Sequence, residues 1–153
     1  MDPICIHFTS IDNPVTRARA FAMYAHLGQV DKTGKPYFDH VERVALGVDG
    51  PTEKQAAYLH DVLEDTHHTE DTLRQLGFQE EVIRVVKLLT KPKGEDVRLG
   101  HPYFDRIKAD PMARAVKLSD LNDNMNLGRF DAPAERDFER VRRYAEIKAY
   151  VRG

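Results

Sequence analysis

The stretch "YLHDVLEDT", Tyr58 to Thr66, sets a histidine and three carboxylates at the end of an otherwise apolar segment. His60 and Glu64 are four residues apart, as are Asp61 and Asp65, so on a continuous helix each pair shares a face. Carboxylates this close repel one another unless a positive group sits among them. A divalent metal supplies that charge, with aspartate oxygen and histidine nitrogen as ligands. The alternative is a charged helix end running into a solvated loop.

Two distant residues weigh on that choice. His40 lies in "PYFDHVERVA", and Asp120 lies in "AVKLSDLNDN" among the core-type residues Ala115, Val116, Leu118 and Leu121. A carboxylate on a core-facing helix is costly unless it is paired or metal-bound. His40, His60, Asp61 and Asp120 therefore form a candidate mixed nitrogen and oxygen site assembled from three helices.

Helical punctuation dominates the segments that must position these side chains. Asn13 caps and Pro14 opens a helix that ends near Gly28, and Asp110 with Pro111 does the same for a helix reaching Met125. Thr52 with Gln55 reads as a capping box for the helix leading to Leu63. Further helices are expected over 37–47, 69–76, 80–89, 103–109 and 134–151, the last with Phe138, Val141, Tyr144, Ile147 and Val151 as its packing stripe. No alternating apolar run argues for a sheet. The expectation is all-α, seven or eight helices in a single domain over 1–153.

The 153 residues carry 23 Lys plus Arg against 25 Asp plus Glu, a formal net charge of -2. This balance gives no electrostatic footprint for nucleic acid as a partner. The lone Cys5 forms no intrachain disulfide, no run approaches a membrane span, and the first ten residues lack a secretory pattern. A cytoplasmic location without membrane association is expected.

The ordered His40, His60-Asp61 and Asp120 resemble the signature of the HD metal-dependent phosphohydrolases. The pieces "RARAFAMYAHLGQVDKTGKPYFDHVERVA", "AAYLHDVLEDTHHTEDTLRQLGF", "VVKLLTK" and "ARAVKLSDLNDNM" narrow the resemblance to the hydrolase domain of the RelA/SpoT alarmone enzymes and their small stand-alone relatives. It covers about Arg17 to Met125. It implies a helical HD fold, with His40, His60, Asp61 and Asp120 as metal ligands, manganese as the favoured ion, and Glu64 and Asp65 as the acidic pair serving the attacking water. Lys32 and Asn124 match positions near the substrate, and His26 matches a position that is either structural or a substrate contact. The implied activity is removal of the 3′-pyrophosphate from guanosine tetra- and pentaphosphate, a small nucleotide.

The chain departs from the family pattern at two places. Asp31 stands where a basic residue is usual before Lys32, and "NMNL", Asn124 to Leu127, replaces "NMRT". These leave open another ribose-phosphorylated nucleotide, such as a nicotinamide dinucleotide phosphate, and a non-catalytic nucleotide sensor. His67 and His68 read as solvent-exposed loop residues, Lys91 and Lys93 as a solvated loop or phosphate contacts, and Tyr103 and Phe104 as core. The last helix could also serve a homodimer.

Overall fold

The computed structural model describes residues 3–153, leaving Met1 and Asp2 of the N-terminal stretch outside it. Among the described residues the chain is all helical. In order these are α1 (Pro3–Thr9), α2 (Pro14–Ala25), α3 (Tyr37–Leu46), α4 (Pro51–Leu59), α5 (Val62–Asp65), α6 (Glu70–Gln75), α7 (Glu80–Leu89), α8 (Pro102–Ala109), α9 (Pro111–Asn124) and α10 (Glu135–Arg152), with a 3-10 turn at Leu127–Arg129. A single isolated bridge, Val30 to Pro36, closes the loop before α3. None of these helices is long and apolar enough to cross a membrane.

The helix count exceeds expectation for two local reasons. The seven-residue α1 carries no cap signal, and the segment read as one helix to Leu63 breaks at His60 and Asp61. The capping box at Thr52 does not form. Gly50 is the N-cap, Pro51 takes the first turn, and the buried Gln55 amide donates to Pro51 O (3.1 Å). The Asn13 and Asp110 caps do form: Asn13 Oδ1 accepts from Val15 and Thr16, and Asp110 Oδ1 from Met112 and Ala113.

α4 is the centre of the packing. Gln55, Ala56, Ala57, Tyr58 and Leu59 are consecutive and all buried, so the helix is covered on every side, by α2, α3, α7 and α9. A helix enclosed this way can place a polar residue only where partners wait for it. α3 closes onto α9 at Gly47, where an added Cβ would stand 2.2 Å from Ser119 Oγ, and the Ser119 hydroxyl donates to Val44 O (2.8 Å). This close approach brings the His40 helix against the Asp120 helix.

α10 packs on α8 and α9 by most of its expected stripe: Val151 is buried, Ile147 packs against the core, and Val141 and Tyr144 are half-buried. Phe138 is 55% exposed, whereas Asp137 and Arg140 are buried and paired (2.8 Å). Arg140 and Tyr144 border a cavity. His68 also differs: it is buried against the rings of Phe21 and Tyr24. Tyr103 and Phe104 are core, as read.

Asp110 both caps α9 and pairs with Arg84. Asp110→Ala should lower stability by about 1 kcal/mol through the lost cap. Asp110→Asn, which keeps the cap and loses only the half-exposed ion pair, should lose less in a urea titration.

Candidate metal centre

The break between α4 and α5 is made by His60 itself. Its Nδ1 lies 2.6 Å from Ala57 O, the carbonyl that the Asp61 N–H would take in a continuous helix. Asp61 is left at φ -104, ψ 0, and the chain resumes helical bonding with Asp65 N to Asp61 O (2.9 Å). His60 and Asp61 therefore sit on a turn, so His60 and Glu64 do not share one uninterrupted helix, whereas Asp61 and Asp65 remain one helical turn apart and close together.

A carbonyl can only accept, so His60 Nδ1 carries a proton and donates it. In the neutral ring this leaves Nε2 as a bare lone pair. That buried nitrogen has no hydrogen-bond partner, although it stands 3.0 Å from Asp61 Oδ2 and 3.5 Å from Asp120 Oδ1. His40 repeats the arrangement. Its Nδ1 is 2.6 Å from Asp123 Oδ2, and its Nε2 is 3.0 Å from Asp120 Oδ1. Two imidazole nitrogens thus converge on one carboxylate oxygen. Asp120 Oδ2 is turned away to Lys117 Nζ (3.3 Å), and Asn124 Nδ2 donates to Oδ1 (3.0 Å).

Lone pairs facing carboxylates in a buried pocket need a cation between them. Two ligands about 2.1 Å from a common ion stand roughly 3.0–3.4 Å apart, close to the separations found here. His40, His60 and Asp120 offer ligand atoms all within 4.8 Å of one another, and a second such group is Asp61, Glu64 and Asp65. Asp61 meets the first group through His60 Nε2, and Tyr37 donates its hydroxyl to Asp61 Oδ2. The donor set fits a divalent metal.

The ionisation pattern follows from the same crowding. Burial opposes charge on both imidazoles. Asp120 and Asp123 outweigh it at His40, and Asp61 and Asp120 outweigh it at His60, so both pKa values are raised. Despite their own burial, Asp61 and Asp123 are each held down to about 2, Asp61 by His60 and Asp123 by His40 and Arg43. Asp120 falls well below the usual range, with Lys117 the strongest opposing influence. In the metal-free chain these carboxylates favour a proton on each ring.

The acidic pair divides. Glu64 Oε1 accepts from the Lys91 backbone N–H (2.8 Å), which pins the loop after α7. The Asp65 carboxylate has no such partner, and desolvation with the charges of Asp61 and Glu64 pushes its pKa up to about 6.

Two cavities meet at this centre and share Tyr37, Asn124 and Tyr144. The smaller, about 140 Å³, holds His60, Asp61, Glu64, Asp65 and Asp120 with Lys91 and Lys117. The larger, about 390 Å³, is lined by His40, Lys32, Arg129, Arg140 and Phe130 among others. Lys32 and Asn124 thus border the space beside the metal group. His26 borders neither: it is 2% exposed, its Nδ1 meets Gln29 Oε1 (2.9 Å), and burial lowers its pKa. Its ring contacts that of Tyr37 (5.2 Å). Lys93 lies away from both cavities.

Residues missed by motif reading are Tyr37, Lys117, Asp123 and Arg140, whereas Arg129, which could reach back from beyond the altered "NMNL" segment, does line the larger cavity. Three had a signal. Tyr37 precedes His40 by three residues, Lys117 precedes Asp120 by three, and Asp123 follows it by three, so each shares a helical face with a candidate ligand.

The comparisons agree with this geometry. No family model matches the chain. Over 135 residues it is 33% identical to the guanosine-3′,5′-bis(diphosphate) 3′-pyrophosphohydrolase of Aquifex aeolicus (strain VF5), covering 82% of this chain and 19% of that protein. It is 32% identical to a probable GTP pyrophosphokinase of Mycobacterium leprae (strain TN), covering 88% of this chain and 18% of that one. The solved structure of a metazoan ortholog of SpoT that hydrolyses ppGpp superposes with a TM-score of 0.76 at 22% identity, covering 92% of this chain and 86% of the other. These likenesses support an HD-type, RelA/SpoT hydrolase-like domain. The chain spans about a fifth of the length of the curated relatives it matches. The HD fold and the His40, His60 and Asp120 cluster together suit a divalent metal.

Metal binding must displace protons from His40 and His60. Titrating the metal-free HD domain with manganese should therefore show proton release and a dissociation constant that weakens as pH falls from 8 to 6. Buffers of different ionisation enthalpy would read the proton count, and a pH-independent constant would contradict it.

Proposed function

We propose that this HD domain is a divalent-metal hydrolase that removes the 3′-pyrophosphate from guanosine tetra- and pentaphosphate, with manganese as its ion. The observation that supports it best is the pair of histidine Nε2 atoms converging on Asp120 Oδ1 beside a free carboxylate at Asp65. The Aquifex relative carries that activity in its name, and the metazoan SpoT ortholog is described as hydrolysing ppGpp.

His40, His60, Asp61 and Asp120 would hold the cation, which supplies Lewis acidity and a lowered pKa for water when bound. Tyr37, Asn124 and Lys117 fix the carboxylates that face it. Asp65 serves as general base, accepting the proton of the attacking water. Glu64, anchored on the Lys91 backbone, orients that water and the loop. Lys91 and Lys117 in the small cavity neutralise charge on the departing pyrophosphate. Lys32, Arg129 and Arg140 with Phe130 and Tyr144 give the large cavity the cations and aromatic faces that a nucleotide needs. A nucleotide of this kind places the reaction in the cytoplasm.

The test is a nucleotide panel with manganese, reading release of pyrophosphate and phosphate. Guanosine tetraphosphate should yield pyrophosphate, and Asp61→Ala should abolish turnover. Asp65→Asn should lower kcat by about 10²–10⁴-fold, the usual worth of a general base. Turnover confined to a nicotinamide dinucleotide phosphate, or tight nucleotide binding without turnover, would replace this reading. In the native domain kcat should fall as pH drops below about 6, where Asp65 takes up its proton.

A further inference from the structure

Asp123 lies in the "AVKLSDLNDN" stretch with no role read from its motif, yet it sits behind the metal group with its side chain 9% exposed. Its Oδ2 meets His40 Nδ1 at 2.6 Å, and its Oδ1 accepts from Arg43 Nε at 2.6 Å. Arg43 Nη2 reaches the first oxygen at 3.2 Å, and Arg129 Nη2 lies 3.7 Å from it. Arg129 Nη2 also donates to the Asp123 backbone carbonyl (3.0 Å). Two arginines from α3 and from the turn after α9 therefore hold one carboxylate against one face of His40.

That face decides what the other can do. A ligand imidazole must be neutral and must present a single bare nitrogen. An acceptor on Nδ1–H keeps the proton there and aims Nε2 at the ion. A carboxylate acceptor also makes the ring more basic, hence a stronger ligand. His60 takes the neutral version of this support from Ala57 O, whereas His40 takes the charged version. The two histidines are thus not equivalent, and His40 is the one whose support can be removed by mutation without breaking a helix end.

We propose that Asp123 is the positioning residue of the metal centre, fixing the His40 tautomer and ring orientation while Arg43 and Arg129 hold it in place. The proposal rests on the reading of His40, His60 and Asp120 as metal ligands.

Asp123 could instead be a purely structural counter-ion for Arg43 and Arg129. The two roles separate at Asp123→Asn, which loses the charge but keeps an oxygen for the Nδ1–H, and Asp123→Ala, which loses both. Manganese titration of the metal-free protein by calorimetry, with melting temperature recorded alongside, distinguishes them. Asp123→Ala should bind manganese roughly 10–100-fold more weakly, the usual cost of removing a ligand's outer partner. Asp123→Asn should recover much of that loss, although its melting temperature falls as far as that of Asp123→Ala. Asp123→Ser, too short to reach the ring, replaces the alanine variant if that one does not fold. Native-like affinity in Asp123→Ala, or equal loss in the asparagine and alanine variants, overturns the proposal while leaving the metal centre standing. No binding by the native protein itself takes down both, and His60→Ala supplies the baseline for that outcome.

Discussion

Two buried imidazole nitrogens facing the same aspartate oxygen are the constraint around which this molecule is arranged. His40 Nε2 and His60 Nε2 lie 3.0 and 3.5 Å from Asp120 Oδ1, with both side chains 4% exposed. Buried polar atoms without partners cost free energy. The chain tolerates them because a proton or a metal ion can occupy the space between. Everything nearby biases which face of each ring is left bare: Ala57 O behind His60, Asp123 behind His40, and Lys117 on the far oxygen of Asp120.

This constraint reaches into the fold. The second half of α4, Gln55 to Leu59, is buried among four helices and uncharged, and the charged motif is placed where the helix stops. The stop is produced by the motif itself, since the His60 ring takes the Ala57 carbonyl and denies it to Asp61. Beyond this break Asp61 accepts from Tyr37 and begins α5, which carries Glu64 and Asp65 to the cavity. A longer α4 would retain a better hydrogen-bond ladder and lose the geometry. Ser119 and Gly47 serve the same end from the other side, by letting α3 and α9 approach closely enough for His40 and Asp120 to meet.

Much of this was legible before folding was considered, and the reasons are local. Asp120 stands out because a carboxylate among Ala115, Val116, Leu118 and Leu121 has no cheap explanation, and Asn13 and Asp110 announce their helices through caps that depend only on neighbours. What was not legible depends on contacts distant in sequence or on side chains competing with the backbone. The break after Leu59 comes from a histidine ring bonding a carbonyl, which no periodicity encodes. His68 reads as a solvated residue beside His67, but it folds over Phe21 and Tyr24. The stripe on α10 was drawn from apolar residues alone and holds from Val141 to Val151, but at its first turn the helix exposes Phe138 and turns its buried Asp137–Arg140 pair inward. His26 matched a position with two readings, and it is found buried beside Tyr37.

Asp31 shows how an unfavourable charge can be absorbed rather than tolerated. By type it is the wrong residue to border a cavity for a polyanion. Its Oδ1, however, accepts from Thr33 N (2.8 Å), Thr33 Oγ1 (2.6 Å) and Lys35 N (3.1 Å), so that oxygen shapes the loop and presents Lys32. Its Oδ2 faces Arg129 Nη1 at 3.4 Å, across 98 residues of chain. The loop therefore gives up a cation of its own and instead anchors one from the turn after α9. Arg129 is held from two sides, by Asp31 and by the Asp123 carbonyl, at the wall of the large cavity. With Lys32 and Arg140 on the same wall, the positive groups outnumber the one carboxylate that departs from the family pattern, and that carboxylate is already engaged. The same residue that argues against a polyanion in the linear sequence thus fixes the position of an arginine that favours one in the folded chain.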